Sequence, residues 1–116
     1  MKKILLNDEE FPENLKKIKN PPKHIYYDGN IELLKTYGIA IIGSRNCSEY
    51  GKRMTKKFVR ELSNYNLNII SGMAIGIDSI AHSQTIENNG KTIAVLPSGL
   101  NNIYPKSNKQ LYYKII

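Results

Sequence analysis

The chain has 116 residues, of which 41% are apolar and 23% charged, and its formal net charge is +7. That length allows one domain or part of one with a modest core, and the composition is that of a globular chain rather than a disordered tail. A single cysteine, Cys47, excludes an internal disulfide, the two histidines, His24 and His82, are too few for an expected zinc or other metal site, and no apolar run reaches the roughly 20 residues that span a bilayer. The first apolar run, Ile4-Leu5-Leu6, is shorter than the roughly 7–15 residues of an export signal, so a cytoplasmic location without membrane contact is expected.

In chain order, residues 1–36 read as a helical connector. A short helix over 13–19 would turn Leu15 and Ile18 inward, and Pro21-Pro22 would stop it because proline lacks the amide donor. A helical turn over 31–36 then ends at Gly38. Residues 37–116 read as a partial α/β domain. Ile39–Ile42, Leu67–Ile70 and Thr92–Leu96 are short, β-branched apolar runs that suit buried strands. Between the first two, residues 49–64 place Tyr50, Met54, Phe58 and Leu62 at spacing four, an expected inward stripe, with Lys52, Arg53, Lys56, Lys57 and Arg60 on the solvated side. Residues 79–88 form a second helix, with Asp78 as the expected N-cap and Gly90 just past its end. A last helical segment covers Lys109–Lys114. Alternating strands and helices with short connections give a parallel sheet with right-handed crossovers. The fold class is therefore α/β, Rossmann-like and three-layered. Because three strands are half of a doubly wound unit, the domain is expected to be incomplete.

Basic residues gather after residue 30. Residues 1–30 carry six Lys and five acids, whereas residues 31–116 carry eleven Lys or Arg and five acids. This balance suits a polyanionic partner. Fourteen of the seventeen basic residues are Lys, however, and with Asn and Ile abundant the same balance fits an AT-rich genome.

Ligands of open α/β sheets sit beyond the carboxyl ends of the strands, where this chain has three loops. In Gly43-Ser44-Arg45-Asn46, glycine admits an anion to the backbone, serine offers a hydroxyl, and arginine can fork onto a phosphate ahead of a helix amino end. In Ser71–Asp78, glycines at 72 and 76 precede a helix, but the lysine of a P-loop and the spacing of a dinucleotide fingerprint are missing. Met73, Ile75 and Ile77 read as packing residues. Asp78 and His82 share a helix face and read as a structural hydrogen-bonded pair, with acid–base chemistry as the alternative. The loop from Pro97 to Lys106 offers a turn at Gly99, two asparagine amides, the Tyr104 ring and the Lys106 cation. Those groups could hold single-stranded nucleic acid, or Tyr104-Pro105 could simply pack the loop onto the sheet.

Phe11-Pro12, Gly43-Ser44-Arg45, the run Ser71-Gly72-Met73-Ala74-Ile75-Gly76-Ile77-Asp78, Ala81-His82 and Tyr104-Pro105-Lys106-Ser107-Asn108 stand in an order that resembles the DprA/Smf DNA-processing proteins, from about Phe11 to the last residue. The resemblance implies a Rossmann-like domain that binds and protects single-stranded DNA and helps load RecA during natural transformation and recombination. It also implies a cytoplasmic homodimer with no cofactor and no enzymatic activity. On this basis Gly43, Ser44 and Arg45 would line the phosphate pocket, Ser71, Gly72 and Gly76 would shape its floor, and Lys106, from the loop of Gly99, would approach the DNA backbone. Pro97 departs from the family's usual glycine. Chains of the family continue well past the equivalent of Ile116, adding strands, an Arg-Asn-Arg run and much of the dimer and RecA surface. Two other readings remain: a nucleotide-binding or nucleotide-cleaving enzyme of the same superfamily using Asp78 or His82, and a half-site without activity.

Overall fold

The computed structural model describes residues 1–116. Its first section is not the helical connector expected above. Strand β1 (Lys2–Leu5) pairs antiparallel with β2 (His24–Tyr27), Ile4 opposite Ile25, and between them lies only a four-residue helix, α1 (Glu13–Lys16). The Asp8 carboxylate closes the turn after β1 by accepting from the Leu5 amide at 2.8 Å. Phe11, Pro12 and Ile4 are buried, while Ile18, expected to point inward, is exposed. Each strand is four residues long and the two lie far apart in sequence, so no local pattern announces their pairing. A 3-10 turn at Ile31–Lys35 follows, as read from the sequence.

Strands β3 (Gly38–Ala40), β4 (Asn68–Ser71) and β5 (Thr92–Ala94) form a parallel sheet in that order, with Ile39 beside Ile69 and Ile69 beside Thr92. Helices α2 (Glu49–Leu62) and α3 (Ile77–Glu87) make the two crossovers. With sequential parallel strands and right-handed crossovers, both helices lie on one face. Val59 of α2, Ala81 of α3 and Ile69 of β4 are fully buried together, with Ile41 and Leu62 against them.

The inward stripe of α2 keeps Leu62 of the expected residues, which packs against the core, but is otherwise rotated. Thr55 and Val59 are buried, whereas Tyr50 is 63% and Phe58 52% exposed. On the rotated face, Ile77 of α3 lies near Gly51, and Ala81 is buried with Val59 in the same core.

The last helix, α4 (Lys109–Ile115), buries Tyr112, whose hydroxyl donates to the Asp28 carboxylate. Asp28 also receives the N-terminal ammonium at 2.7 Å. The ammonium and then the hydroxyl hold the Asp28 carboxyl below its usual range. Burial, reinforced by Asp28, pushes the Tyr112 phenol up to about 12. This pair ties the end of the chain to the amino-terminal ribbon.

Side chains alternate across a strand, so Ala40, Ile42, Ile70, Ile93 and Val95 point away from α2 and α3. Ile42 is 73% and Val95 63% exposed. β3 pairs only with β4, and its outer edge has no partner. An unpaired edge beside an apolar face is a template for association. Residues 1–116 in isolation are therefore expected to self-associate, with a weight-average sedimentation coefficient that climbs with concentration. A monodisperse monomer at every concentration, with a sharp cooperative melt, would show that the open edge is tolerated.

Candidate functional site

Two glycine-bearing loops meet at the carboxyl ends of β3 and β4. Gly76 has φ +95°, and a Cβ there would lie 2.4 Å from the Ser44 carbonyl oxygen and 2.6 Å from that of Arg45. Only glycine permits both the dihedral and the approach. The Ile77 side chain rests on Gly43, where a Cβ would meet it at 2.8 Å, and the Ile77 amide donates to the Ser44 carbonyl at 3.3 Å. The first loop is thus seated directly on the second.

A carboxylate completes the join. Asp78 is buried, and its Oδ1 accepts from the Gly43 amide at 3.3 Å. Its Oδ2 accepts from the amides of Gly72, at 3.2 Å, and Ala74, at 3.4 Å. This corrects its expected role: Gly76 occupies the N-cap position of α3, and Asp78, inside the first turn, straps the loops together. Gly72 must lack a side chain because a Cβ would stand 2.9 Å from Asp78 Oδ2.

The remaining groups hold the frame. Ser44 Oγ accepts from the Asn46 amide at 3.1 Å, tightening the turn, and Ser48 Oγ caps α2 by accepting from the Gly51 amide at 3.0 Å. Ser71 is buried and donates to the Ile41 carbonyl at 2.6 Å, bracing the strand ends. Arg45 is exposed and forms no ion pair. Arg53, Lys56, Lys57 and Arg60 on α2 are likewise exposed without an acidic partner. Met73 is fully buried, as expected of a packing residue, but Ile75 is exposed because the loop turns outward between the two glycines.

The expected Asp78–His82 hydrogen bond does not form. His82 is fully buried, and its Nδ1 lies 2.6 Å from Thr92 Oγ1. Thr92 donates its own proton to the Ile69 carbonyl at 2.7 Å, so its oxygen accepts from Nδ1–H. His82 Nε2 has no partner. Burial lowers the His82 pKa to about 4, with the Asp78 charge opposing only in part.

The third loop stands apart. Asn108 Nδ2 donates to the Met73 carbonyl at 2.9 Å, which fastens this loop to the second one. Lys106 lines a cleft of about 540 Å³ with Asn101, Asn102 and Lys109, and none of residues 43–46 or 71–76 lines it. Gly99 borders a different, mostly apolar cavity of about 490 Å³ between β2, β5 and α4, and a Cβ there would touch nothing within 4 Å. Tyr104 is exposed, so its ring does not pack the loop onto the sheet. Gly43, Ser44, Arg45, Ser71, Gly72 and Gly76 therefore converge, while Gly99 and Lys106 do not join them. Two anchoring residues, Asp78 as a strap and Asn108 as a fastener, were invisible as such; the tight spacing of glycines before Asp78 was the only trace.

Residues 2–116 match the family described as DNA recombination-mediator protein A. The chain is 44% identical over 104 residues to DNA processing protein DprA of Streptococcus pneumoniae, covering 90% of this chain and 36% of that protein. It is 37% identical over 109 residues to DNA processing protein DprA of Bacillus subtilis, covering 93% of this chain and 37% of that protein. Among solved structures, DNA processing protein A from Streptococcus pneumoniae gives a TM-score of 0.92 at 41% identity over 98% of this chain and 40% of that one. DNA processing protein A from Helicobacter pylori, whose structure gives insights into its unique single-stranded DNA binding mode, gives 0.83 at 34% identity over 97% of this chain and 51% of that one. The α/β fold expected from the sequence is the fold of these structures. The chain spans about a third of the length of the curated relatives it matches. No helix is long and apolar enough to cross a membrane.

Two outcomes are expected. Gly76→Ala meets backbone oxygens at 2.4 Å and 2.6 Å and should lose at least about 2 kcal/mol in urea denaturation, whereas Gly99→Ala should stay within about 0.5 kcal/mol of the parent. Equal losses for the two would mean that the loops are not locked at Gly76. His82, with a folded pKa of about 4 against an ordinary 6.5, is protonated first in the unfolded chain. Its contribution is complete above pH 6.5 and drains away as the pH falls toward 4, a loss on the order of 3 kcal/mol. Denaturation curves between pH 7 and 4 should show that slope in the parent, and it should be flattened in His82→Gln.

Proposed function

Since the chain belongs to the DNA recombination-mediator protein A family, we propose that it binds single-stranded DNA through the phosphate backbone, without reading base sequence and without catalysis, in DNA processing. The observation that carries this reading is Arg45: an exposed guanidinium with no acid partner, held out by a loop that Gly76 and Asp78 lock in place. Gly43 and Ser44 shape the turn under it, and Ser71, Gly72 and Gly76 support that turn from below. Lys106, in the loop of Gly99, supplies a second phosphate contact farther along the strand. Residues 37–116 are the DNA-binding unit, and residues 1–36 connect to it. The unpaired cations of α2 lie beyond Arg45 and add long-range attraction.

The nucleotide-cleaving alternative needs a free acid or base. Asp78 spends both oxygens on backbone amides, and His82 is buried with its Nδ1 proton engaged. Loading of RecA, a role in transformation and competence, a homodimer and a cytoplasmic location rest on family membership rather than on any geometry of these residues.

Arg45→Ala should weaken single-stranded DNA binding by about 1–3 kcal/mol, the range of one charge-assisted hydrogen bond, and leave the melting curve unchanged. The slope of log affinity against log salt should fall by about 0.7, the value for one phosphate contact on a single strand. Fluorescence anisotropy of a labelled oligonucleotide reads both, and equal affinities for mutant and parent would remove Arg45 from the interface.

A further inference from the structure

We infer that Asp78 is a built-in anion: its carboxylate sits where a free phosphate would sit in this kind of fold, closing that seat to mononucleotides while fixing the loop that presents Arg45. In open α/β sheets, phosphate is held by amides of glycine-bearing loops at the strand ends, next to a helix amino end. The amides of Gly43, Gly72 and Ala74 come from two different loops and converge, at 3.2–3.4 Å, on the two oxygens of one buried carboxylate. No lysine, arginine or histidine pairs with that carboxylate. Its charge is therefore held by these backbone amides, the same kind of donor that would hold a phosphate. The lack of a side chain at Gly72, where a Cβ would stand 2.9 Å from Asp78 Oδ2, keeps the seat open to an anion, and the anion comes from the chain itself.

Two consequences follow for specificity. A mononucleotide phosphate would find its amides occupied and would face a negative charge at contact distance, a repulsion that a neighbouring arginine does not remove. A polynucleotide does not need the seat, because it gathers many weaker contacts along its length. Asp78 is thus a positioning residue and a filter. The filter stands on the amide geometry alone, while the presentation of Arg45 to DNA rests on the reading given under Proposed function.

The test compares the full chain with Asp78→Ser by following the amide resonances of Gly43, Gly72 and Ala74 during titration with inorganic phosphate or AMP, against chloride at equal ionic strength. In the parent these resonances should not move. In Asp78→Ser they should shift saturably, with phosphate affinity raised by about tenfold or more. If Asp78→Ser does not fold in chloride, phosphate should restore its native melt by filling the seat. Movement of the parent's resonances would overturn the inference, as would a folded variant that ignores phosphate or an unfolded one that phosphate does not rescue. Anisotropy with Arg45→Ala reads the DNA-binding function separately. A chain that fails to bind DNA, yet gains phosphate at position 78, would defeat the proposed function and support the built-in anion.

Discussion

The Asp78 carboxylate is the point through which the strand ends, two loops and a helix are joined. It reaches back from the first turn of α3 to amides that follow β3 and β4, so one side chain satisfies three donors on two loops. Buried amides without partners are costly, and a buried carboxylate without partners is costlier still. Each group therefore needs the other, and the loops cannot separate without exposing both. Gly76 and Gly72 follow from this closeness, one because its neighbours are backbone oxygens and the other because its neighbour is the carboxylate itself. The exposed Arg45 is held at the outer surface of that joint, so the rigidity of the interior is passed to the one cation placed at the turn.

In the layer beneath, α2 and α3 pack through Val59 and Ala81, with Leu62 against them, rather than through Tyr50 and Phe58. The result is a small dense core around Val59 and Ile69, and a helix that carries Tyr50 and Phe58 outward among unpaired cations. Behind the same core, His82 is fully buried, which disfavours its charged form, and its Nδ1 is held on the Thr92 hydroxyl, itself committed to the Ile69 carbonyl. The hydroxyl groups of this interior end on backbone oxygens, and His82 Nε2 is buried without a partner.

The two faces of the sheet are unequal. One carries both helices. The other presents Ile42 and Val95 to solvent next to a strand edge that lacks a partner. The amino-terminal ribbon and α4 are joined to each other by the Tyr112–Asp28 bond and border an apolar cavity beside β5, yet they leave the edge of β3 free. Charge follows a similar division, since the ion pairs Lys35–Glu32 and Lys52–Glu49 lie within single helical turns while Arg45 and Lys106 have none. Pairs of that local kind contribute little to stability, so the positive potential of the loops is the more consequential feature.

The sequence alone determined the three parallel strands, the two crossover helices and the terminal helix. Those are local properties, written in β-branched runs, helical spacing and turn residues. It also determined which loops carry glycine, serine and arginine, and through Gly43-Ser44-Arg45 and the run ending at Asp78 it identified the family. It did not determine the β1–β2 ribbon, the face on which α2 packs, or the partners of Asp78 and His82. The ribbon depends on pairing across a long separation, and the α2 face depends on which residues of α3 and β4 folding brings against it. A buried side chain is committed by the donors that folding brings to it, and for Asp78 those came from loops that only the tertiary structure could set side by side.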